Sequence, residues 1–441
     1  QVLNKLKMEG RMATRNEQTK LSRFIGWGTI SELFSGKRYV SEYQQLKNLV
    51  TPEELEKIKT SSLTSFYTPY EVATWIWKIL LRMGFCGGNI LDPSAGTGLF
   101  EMTANKDLLD DSMMTLIEMD SITGNILENL MQTATVYKKP YQEVRLRENS
   151  FDLAISNIPF GDVMVYDSEE KQTRTIHNFF FSKTARVVRE GGIIAFITSR
   201  YFLDAKDSKL RAKLSENYNL VAAFRFNNMT FSDANTEVVS DLVILQKTST
   251  PINSDLWVPT VSYLQNHTIN RYFSARPHFV IGTPKEVSGP FGPTLTVEPF
   301  TKEEEKYAIR ELGFKTSVND YLANDSAKYV KATIMDALLE IVPENIYEPA
   351  EDNSYAYEDY LVVDEKTSSV KESGLYVEEN KVYIREGLKL LPYKYQFSDR
   401  VFQYIRLKEA VDMLLSVQAE SFHLSLKGYL DALSDEYDQF V

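Results

Sequence analysis

Between Glu71 and Lys247, short apolar runs alternate with stretches of helical spacing: VATWIWKILLRMGF, NILDPSAGTGLF, MMTLIEMD, FDLAISNIPF, GGIIAFITS, LVAAFRF and DLVILQK. Short apolar runs of this kind read as strands buried on both faces, and strand alternating with helix means a mostly parallel sheet covered by helices. The chain is therefore expected to be an α/β protein. Only NNMTFSDANTEVVS, which lacks clear helical spacing, joins the last two runs, so these should close the sheet as an antiparallel pair. In sheets of this type ligands bind outside the carboxyl ends of the strands. The residues at those ends are where chemistry should be sought.

The flanks are organised differently. Residues 1–60 read as an amphipathic helical cap with a Gly26-Trp27-Gly28 turn and a threonine-capped, proline-initiated helix in TPEELEKIK. Residues 61–250 hold the strand and helix alternation, and the proline-rich 251–300 reads as an extended connection. Residues 301–441 read as a separate α+β region, with a hairpin in GLYVEENKVYIREG turning at Glu379-Asn380 and a long terminal amphipathic helix or helix pair. No signal-peptide h-region and no apolar run long enough to span a membrane is present, so a cytoplasmic protein with no membrane partner is expected. The start on Gln1 in place of Met suggests a piece of something longer. Cys86 is the lone cysteine and the four histidines are scattered, which excludes intrachain disulfides and offers no metal-ligand spacing. A net charge of −12 argues against indiscriminate nucleic-acid binding, although the first fifty residues carry nine Lys/Arg against four Asp/Glu.

Three strand ends carry polar groups that a buried run does not need. The first, Asp92-Pro93, opens a turn of small residues, Ala95-Gly96-Thr97-Gly98, before a helix near Leu99; such a turn lets backbone approach a nucleoside or dinucleotide closely. Neither the G-x-G-x-x-G spacing nor a phosphate loop is present, and the carboxylate at its start suits a cationic ligand better than phosphates. The second, MMTLIEMD, ends on Glu118 and Asp120. Glu118 is placed to accept from both ribose hydroxyls, whereas Asp120 reads equally well as a helix N-cap. The third ends on Asn157-Ile158-Pro159-Phe160. There the Asn157 amide oxygen and the Ile158 carbonyl offer two acceptors to one exocyclic amine, Pro159 stiffens the turn, and Phe160 offers a stacking face; together they describe a pocket for a flipped base.

These residues resemble the γ-type N6-adenine DNA methyltransferases, with the acidic-Pro-x-Ala-Gly-x-Gly loop followed by an Asn-Pro-Pro-aromatic motif. Here isoleucine occupies the second place of that motif, a position that contributes backbone carbonyl. SFYTPYEVATWIWKIL, with Tyr67, Thr68 and Pro69, resembles the segment closing over the cofactor's methionine end. RFIGWGTISELF, TIHNFFFSKTARVVREGGIIAFITS, NTEVVSDLVILQK and INRYFSARPHFVIG are similar to the methylase portion of helicase-fused phage and conjugative-element proteins. The resemblance implies a Rossmann-like sheet and S-adenosyl-L-methionine as cofactor. It implies cofactor contacts from Tyr67, Thr68, Pro69, Asp92, Pro93, Ala95, Gly96, Gly98 and Glu118, with Gln142 or, preferred, Glu143 reading its adenine. Asn157, Ile158, Pro159 and Phe160 would hold the target base, and DNA and a helicase domain in the same longer polypeptide would be the partners; no metal is implied.

Direct methyl transfer needs no nucleophilic cysteine and no strong base, since the amine proton becomes acidic only as the new N–C bond forms. RNA adenine, a protein glutamine amide, or a catalytically silent cofactor- or DNA-binding module serving a helicase are the competing expectations. His177 at a helix start and Trp27 read as structural residues, and Arg225, Asn227 and Asn228, past a strand end, as residues near the flipped strand.

Overall fold

The computed structural model describes residues 1–350 apart from 25, 28–31, 35–38, 63–67, 162, 169, 232–237, 265–266, 290–291 and 314–332. Beyond 350 it describes 361–362, 370, 374–378, 381–386, 389–392 and scattered positions from 403 to 437. Tyr67 and the Glu379-Asn380 turn lie outside the described residues. Two units are present, Gln1–Ala356 and Tyr357–Val441.

In the first unit, strands β1 (Gly88–Asp92), β2 (Ser112–Ile117), β3 (Thr135–Tyr137), β4 (Phe151–Asn157), β7 (Val188–Ser199), β8 (Tyr218–Phe226), β9 (Ser240–Lys247) and β12 (Val280–Ile281) form one sheet. Three two-stranded pieces accompany it: β5 (Met164–Asp167) with β6 (Gln172–Thr175), β10 (Thr260–Tyr263) with β11 (His267–Asn270), and β13 (Thr283–Gly289) with β14 (Gly292–Glu298). The order across the main sheet is β12-β8-β9-β7-β4-β1-β2-β3. Its centre is parallel, and β9 runs antiparallel between β7 and β8, as the missing helix between the last two runs predicted. Six of the seven β4 residues are buried, as are the last eight of β7, which is why both read as uninterrupted apolar runs.

The helices named below are α1 (Val2–Glu9), α2 (Arg15–Leu21), α3 (Val40–Lys47), α4 (Pro52–Ser62), α5 (Tyr70–Arg82), α6 (Leu99–Thr103), α7 (Lys106–Asp110), α8 (Ser121–Leu130) and α9 (Ile176–Val187). Helix α5 is capped by extended Pro69 and stopped by left-handed Gly84. Between these ends it buries Val72, Ala73, Trp75, Ile76, Trp77, Ile79 and Leu80. At roughly 1.5–3 kcal/mol for each large side chain removed from water, this helix anchors one face of the sheet. Helices α1 and α2 lie over α8, where Ala13 N–H donates to Asn129 Oδ1 at 2.8 Å and Leu6, Leu21 and Ile126 share a small core.

Residues 251–300 are more than the extended connection expected of them. They hold helices Ser254–Trp257 and Arg271–Ala275, add β12 to the main sheet, and bury Trp257, Tyr272 and Phe273. The prolines that suggested a linker stand beside elements: Pro259 just before β10, Pro277 opening a short 3-10 turn, Pro284 and Pro293 within an isolated hairpin where the ladder has free edges. Residues 333–348 also belong with the first unit, because Trp75 Nε1 donates to the Met335 carbonyl at 2.8 Å and Tyr347 Oη donates to Asp152 Oδ1 at 3.0 Å.

The second unit contains the antiparallel strands β15 (Leu361–Val362), β16 (Leu375–Glu378), β17 (Lys381–Glu386) and β18 (Lys389–Pro392), ordered β15-β18-β17-β16. Glu378 faces Lys381 in the hairpin read from the sequence.

Candidate functional site

The carboxyl ends of β1, β2 and β4 open on one cavity of about 520 Å³. Thr68, Pro93, Ala95, Gly96, Glu118, Asn157, Ile158 and Pro159 line it, so residues as far apart in sequence as 68 and 159 meet on one sheet edge. That juxtaposition follows from register: β1 pairs with β2 on one side, Asp92 opposite Leu116, and with β4 on the other, Leu91 opposite Ala154.

At the β1 end, Asp92 is buried and its Oδ1 accepts from Ser94 N–H at 2.9 Å and from Ser156 Oγ at 2.7 Å. Its Oδ2 has no hydrogen-bond partner among the described residues. Burial pushes this carboxyl up to about 7 against the two hydrogen bonds that lower it. The turn after it uses both glycines in left-handed conformations, with φ of 55° at Gly96 and 84° at Gly98. A Cβ on Gly98 would stand 2.9 Å from Leu127 Cδ1, so that glycine serves close packing; a Cβ on Gly96 would meet nothing within 4 Å. Gly96 therefore faces open space that a ligand can occupy.

Glu118, half-buried, ties the turn to the second strand: Gly96 N–H donates to one oxygen at 3.1 Å and Asp120 N–H to the other at 2.8 Å. Its enclosure raises it to about 7, and the charges of Asp120 and Asp92 work in the same direction. Asp120 is the N-cap of α8, accepting from Thr123 N–H at 3.0 Å, and its Oδ2 also accepts from Trp27 Nε1 at 2.9 Å. The capping reading is the one the geometry bears out. Trp27 packs edge-on to Phe24 and lines the cavity too.

Other expected residues separate. Gln142 lines the cavity whereas Glu143 is exposed outside its wall, so of the two alternatives the geometry favours Gln142. Pro69 caps α5 behind Thr68. Gly98 supports the turn from behind. Phe160 is buried and stands outside the cavity wall, which presents Tyr141, Ile176 and Phe180 instead. Arg225 is fully buried, bonded to Asp241 and Asp204, and is not available to a bound strand. Asn227 donates to the Ile281 carbonyl at 3.2 Å. His177 is buried near the start of α9, and burial alone pushes its imidazole down to about 4, so it is neutral.

Sequence reasoning passed over Ser156, Trp27 as a donor, Glu101, and the β5–β6 hairpin. Strand alternation turns Val165 toward the core, while Met164 and Tyr166 on the opposite face are 56% and 58% exposed at the cavity's edge. The hairpin's far end is held by Arg186 Nη1, which donates to Asp167 at 3.2 Å and to Glu170 at 2.8 Å. A serine closing an apolar run beside a strand that ends in aspartate was the available signal for Ser156.

Residues 36–231 match the family model described as Eco57I restriction-modification methylase. This segment is a restriction-modification methylase domain. The sheet that carries it has the class I S-adenosylmethionine methyltransferase fold, and S-adenosylmethionine is the domain's cofactor. The cavity fits that molecule: Glu118 and Asp120 in its lining, with buried Asp92 next to the lining residue Pro93, make it acidic, which suits a cation, and the apolar walls suit an adenosine. Among curated proteins the chain is 28% identical over 192 residues to the Defense against restriction protein B of Escherichia phage P1, covering 42% of this chain and 8% of that protein. It is 26% identical over 179 residues to the Type II methyltransferase M.XamI of Xanthomonas campestris pv. amaranthicola, covering 35% of this chain and 34% of that one. The chain thus spans a small part of the first relative and about a third of the second. Among solved structures, a type I restriction-modification methyltransferase subunit from Streptococcus thermophilus aligns at TM-score 0.37 and 14% identity over 53% of this chain and 56% of that one. The type IIG restriction endonuclease BpuSI aligns at TM-score 0.35 and 15% identity over 43% and 26% of the two chains. Among the described residues no helix is long and apolar enough to cross a membrane.

Proposed function

We propose that the methylase domain transfers a methyl group to the N6 amine of adenine in DNA. The observation that carries this reading is the position of Asn157: it ends the strand next to β1 and opens on the same cavity as the Asp92–Gly98 turn and Glu118. A methyl donor seated on β1 and β2 is therefore one strand away from an amide that can hold an amine.

S-adenosylmethionine supplies a methyl group activated on a sulfonium. Thr68, Pro93, Ala95 and Gly96, with the buried Asp92 at the start of the turn, would hold its methionine end, Glu118 would accept from its ribose, and Gln142 with the apolar wall would meet its adenine. Asn157 Oδ1 and the Ile158 carbonyl accept from the two N6 hydrogens, which directs the nitrogen lone pair and stabilises the charge that develops on it during transfer. Isoleucine at 158 leaves this pair of acceptors intact, because the second comes from the backbone. The proton leaves N6 once the nitrogen is cationic, and these same oxygens are placed to receive it or pass it to water. Stacking on the base would come from an aromatic of the cavity wall, such as Tyr141, Tyr166 or Phe180, in place of Phe160. The expected helicase neighbour in a longer polypeptide belongs to this proposal and is supported by the sequence resemblance alone.

The test is incorporation of tritiated methyl into DNA, RNA and protein, with digestion to identify the methylated nucleoside and Asn157→Ala as control. N6-methyladenine from DNA that disappears in the variant is the expected result. Label in RNA or in glutamine instead would move the substrate, and tight cofactor binding without transfer to any acceptor would make the domain a silent module.

A further inference from the structure

Glu101 has no role in the mechanism above, yet it is among the most enclosed acids in the protein, with 2% of its surface exposed. Neither carboxylate oxygen has a hydrogen-bond partner among the described residues. It lies in the first turn of α6, directly behind the glycine turn: a Cβ on Gly98 would be 3.5 Å from Glu101 Oε2. Asp92, buried where the same turn begins, likewise has an Oδ2 without a hydrogen-bond partner among the described residues, and its charge opposes ionisation of Glu101. Among the described residues, the elements around the pair supply no cation. From α5 comes Trp77, whose Nε1 donates to the Phe100 carbonyl, while Glu71 and Lys78 of that helix are exposed. From β4 comes Ser156, from α8 Leu127 and just after that helix Met131, and from the β2 end Glu118 and Asp120, both acids.

Two buried carboxyl groups with no basic neighbour are expensive to ionise together. A structural acid would have a partner; this pair sits instead behind a turn that faces a cationic ligand. We propose that Glu101 is a positioning residue of the cofactor site: with Asp92 it forms a buried diacid that holds one shared proton when the site is empty and releases it to solvent when the sulfonium and ammonium charges of S-adenosylmethionine arrive. The pair favours the charged donor over the spent cofactor, S-adenosylhomocysteine, whose sulfur is neutral. Discharged product is thereby held less firmly than fresh donor. This inference rests on assigning the glycine turn to the cofactor and is independent of which molecule accepts the methyl group.

Titration calorimetry of the full chain in two buffers of different ionisation enthalpy tests it. Binding of S-adenosylmethionine is expected to release a proton, with affinity rising by up to about tenfold per pH unit through the neutral range; S-adenosylhomocysteine should release less. In Glu101→Gln, whose amide N–H can donate to the Asp92 Oδ2 and favour its ionised form, the proton release and the pH slope should fall toward the contribution left by Glu118, and the preference for the charged donor should shrink. Wild-type binding without proton release overturns the proposal whether or not the variant folds, and so does an unchanged slope in a folded Glu101→Gln. Gly96→Leu, compared with Gly96→Ala, which puts the same strain on the left-handed backbone without filling the cavity, separates the two levels of argument. If Gly96→Leu leaves cofactor binding intact, the site assignment itself fails; if it abolishes binding while Glu101→Gln changes nothing, only the diacid fails.

Discussion

Replacing Arg225 by leucine removes the buried cation that joins the carboxyl end of β8 to the amino end of β9. In the native protein Arg225 Nε and Nη2 donate to the two oxygens of Asp241 at 2.8 Å each, and Nη1 donates to Asp204 Oδ2 at 2.8 Å. Its guanidinium carbon lies 4.3 Å from the Phe273 ring centre, and Asp204 in turn accepts from Asn270 N–H at 2.9 Å. Leucine leaves Asp241 without its bidentate donor, while Asp204 keeps Asn270 and a longer contact to Arg200 at 3.5 Å. Breaking one partner of a buried pair costs about 3–5 kcal/mol. At roughly 2–4 °C per kcal/mol for a large domain, Tm should fall by about 6–20 °C. The loss should also depend on pH. Burial raises the stranded carboxyl above its unfolded value of about 4, so the folded variant keeps a proton that the unfolded chain has released. Its stability is greatest below the unfolded value and declines as pH rises, making the deficit relative to wild type larger at pH 8 than at pH 5. Calorimetric melting at both values measures this. A variant that melts within about 2 °C of wild type at pH 8, and binds DNA more weakly, would refute the buried-clamp account and restore Arg225 to the DNA surface.

Gly98→Ala should destabilise the first unit by about 1–2 kcal/mol from the left-handed backbone alone, with more from the 2.9 Å approach to Leu127; urea titration reads it. Asn157→Ala should lower the methyl-transfer rate by at least about a hundredfold while leaving the cofactor Kd within a factor of two or three, which separates Asn157 from the cofactor residues. Tyr166→Ala should leave Tm unchanged, because that side chain is 58% exposed. If the hairpin face meets the substrate, it should also raise KM for DNA about fivefold or more, the loss of one base-stacking contact.

Much of the sheet was legible because its strands are buried on both faces and so appear as plain apolar runs. The ends of β1, β2 and β4 were legible for the opposite reason, since Asp92, Glu118 and Asn157 interrupt those runs at a definite place. What the sequence hid depends on tertiary neighbours. Gln142 and Glu143 are adjacent in the chain, and only the path of the 3-10 turn at Tyr141–Glu143 decides which one faces the cavity. Arg225 ends a strand just as Asn157 does, but β8 lies two strands farther from the cofactor half of the sheet than β7, and its partners Asp204 and Asp241 are distributed over separate elements. The prolines of 251–300 concealed a packed layer because proline marks the borders of short elements as readily as it marks a linker. Glu101 follows an apolar pair in a helix that the sequence places correctly, and nothing in its spacing says that no cation comes near.

The hydrogen bond from Trp27 to Asp120 has a consequence for where this domain begins. The family match starts at residue 36, so a fragment trimmed to that limit keeps every described strand and the motifs at the ends of β1, β2 and β4 but loses the indole. It also loses Ala13 and Gln18, which donate to Asn129 Oδ1 and the Asn129 carbonyl farther along α8. The helix whose first turn follows Glu118 would then be uncovered along the side that α1 and α2 now occupy. Homology marks the extent of shared ancestry; the cooperative unit that keeps this corner of the cavity in shape extends toward the amino terminus by about twenty residues more, and a soluble fragment should be cut accordingly.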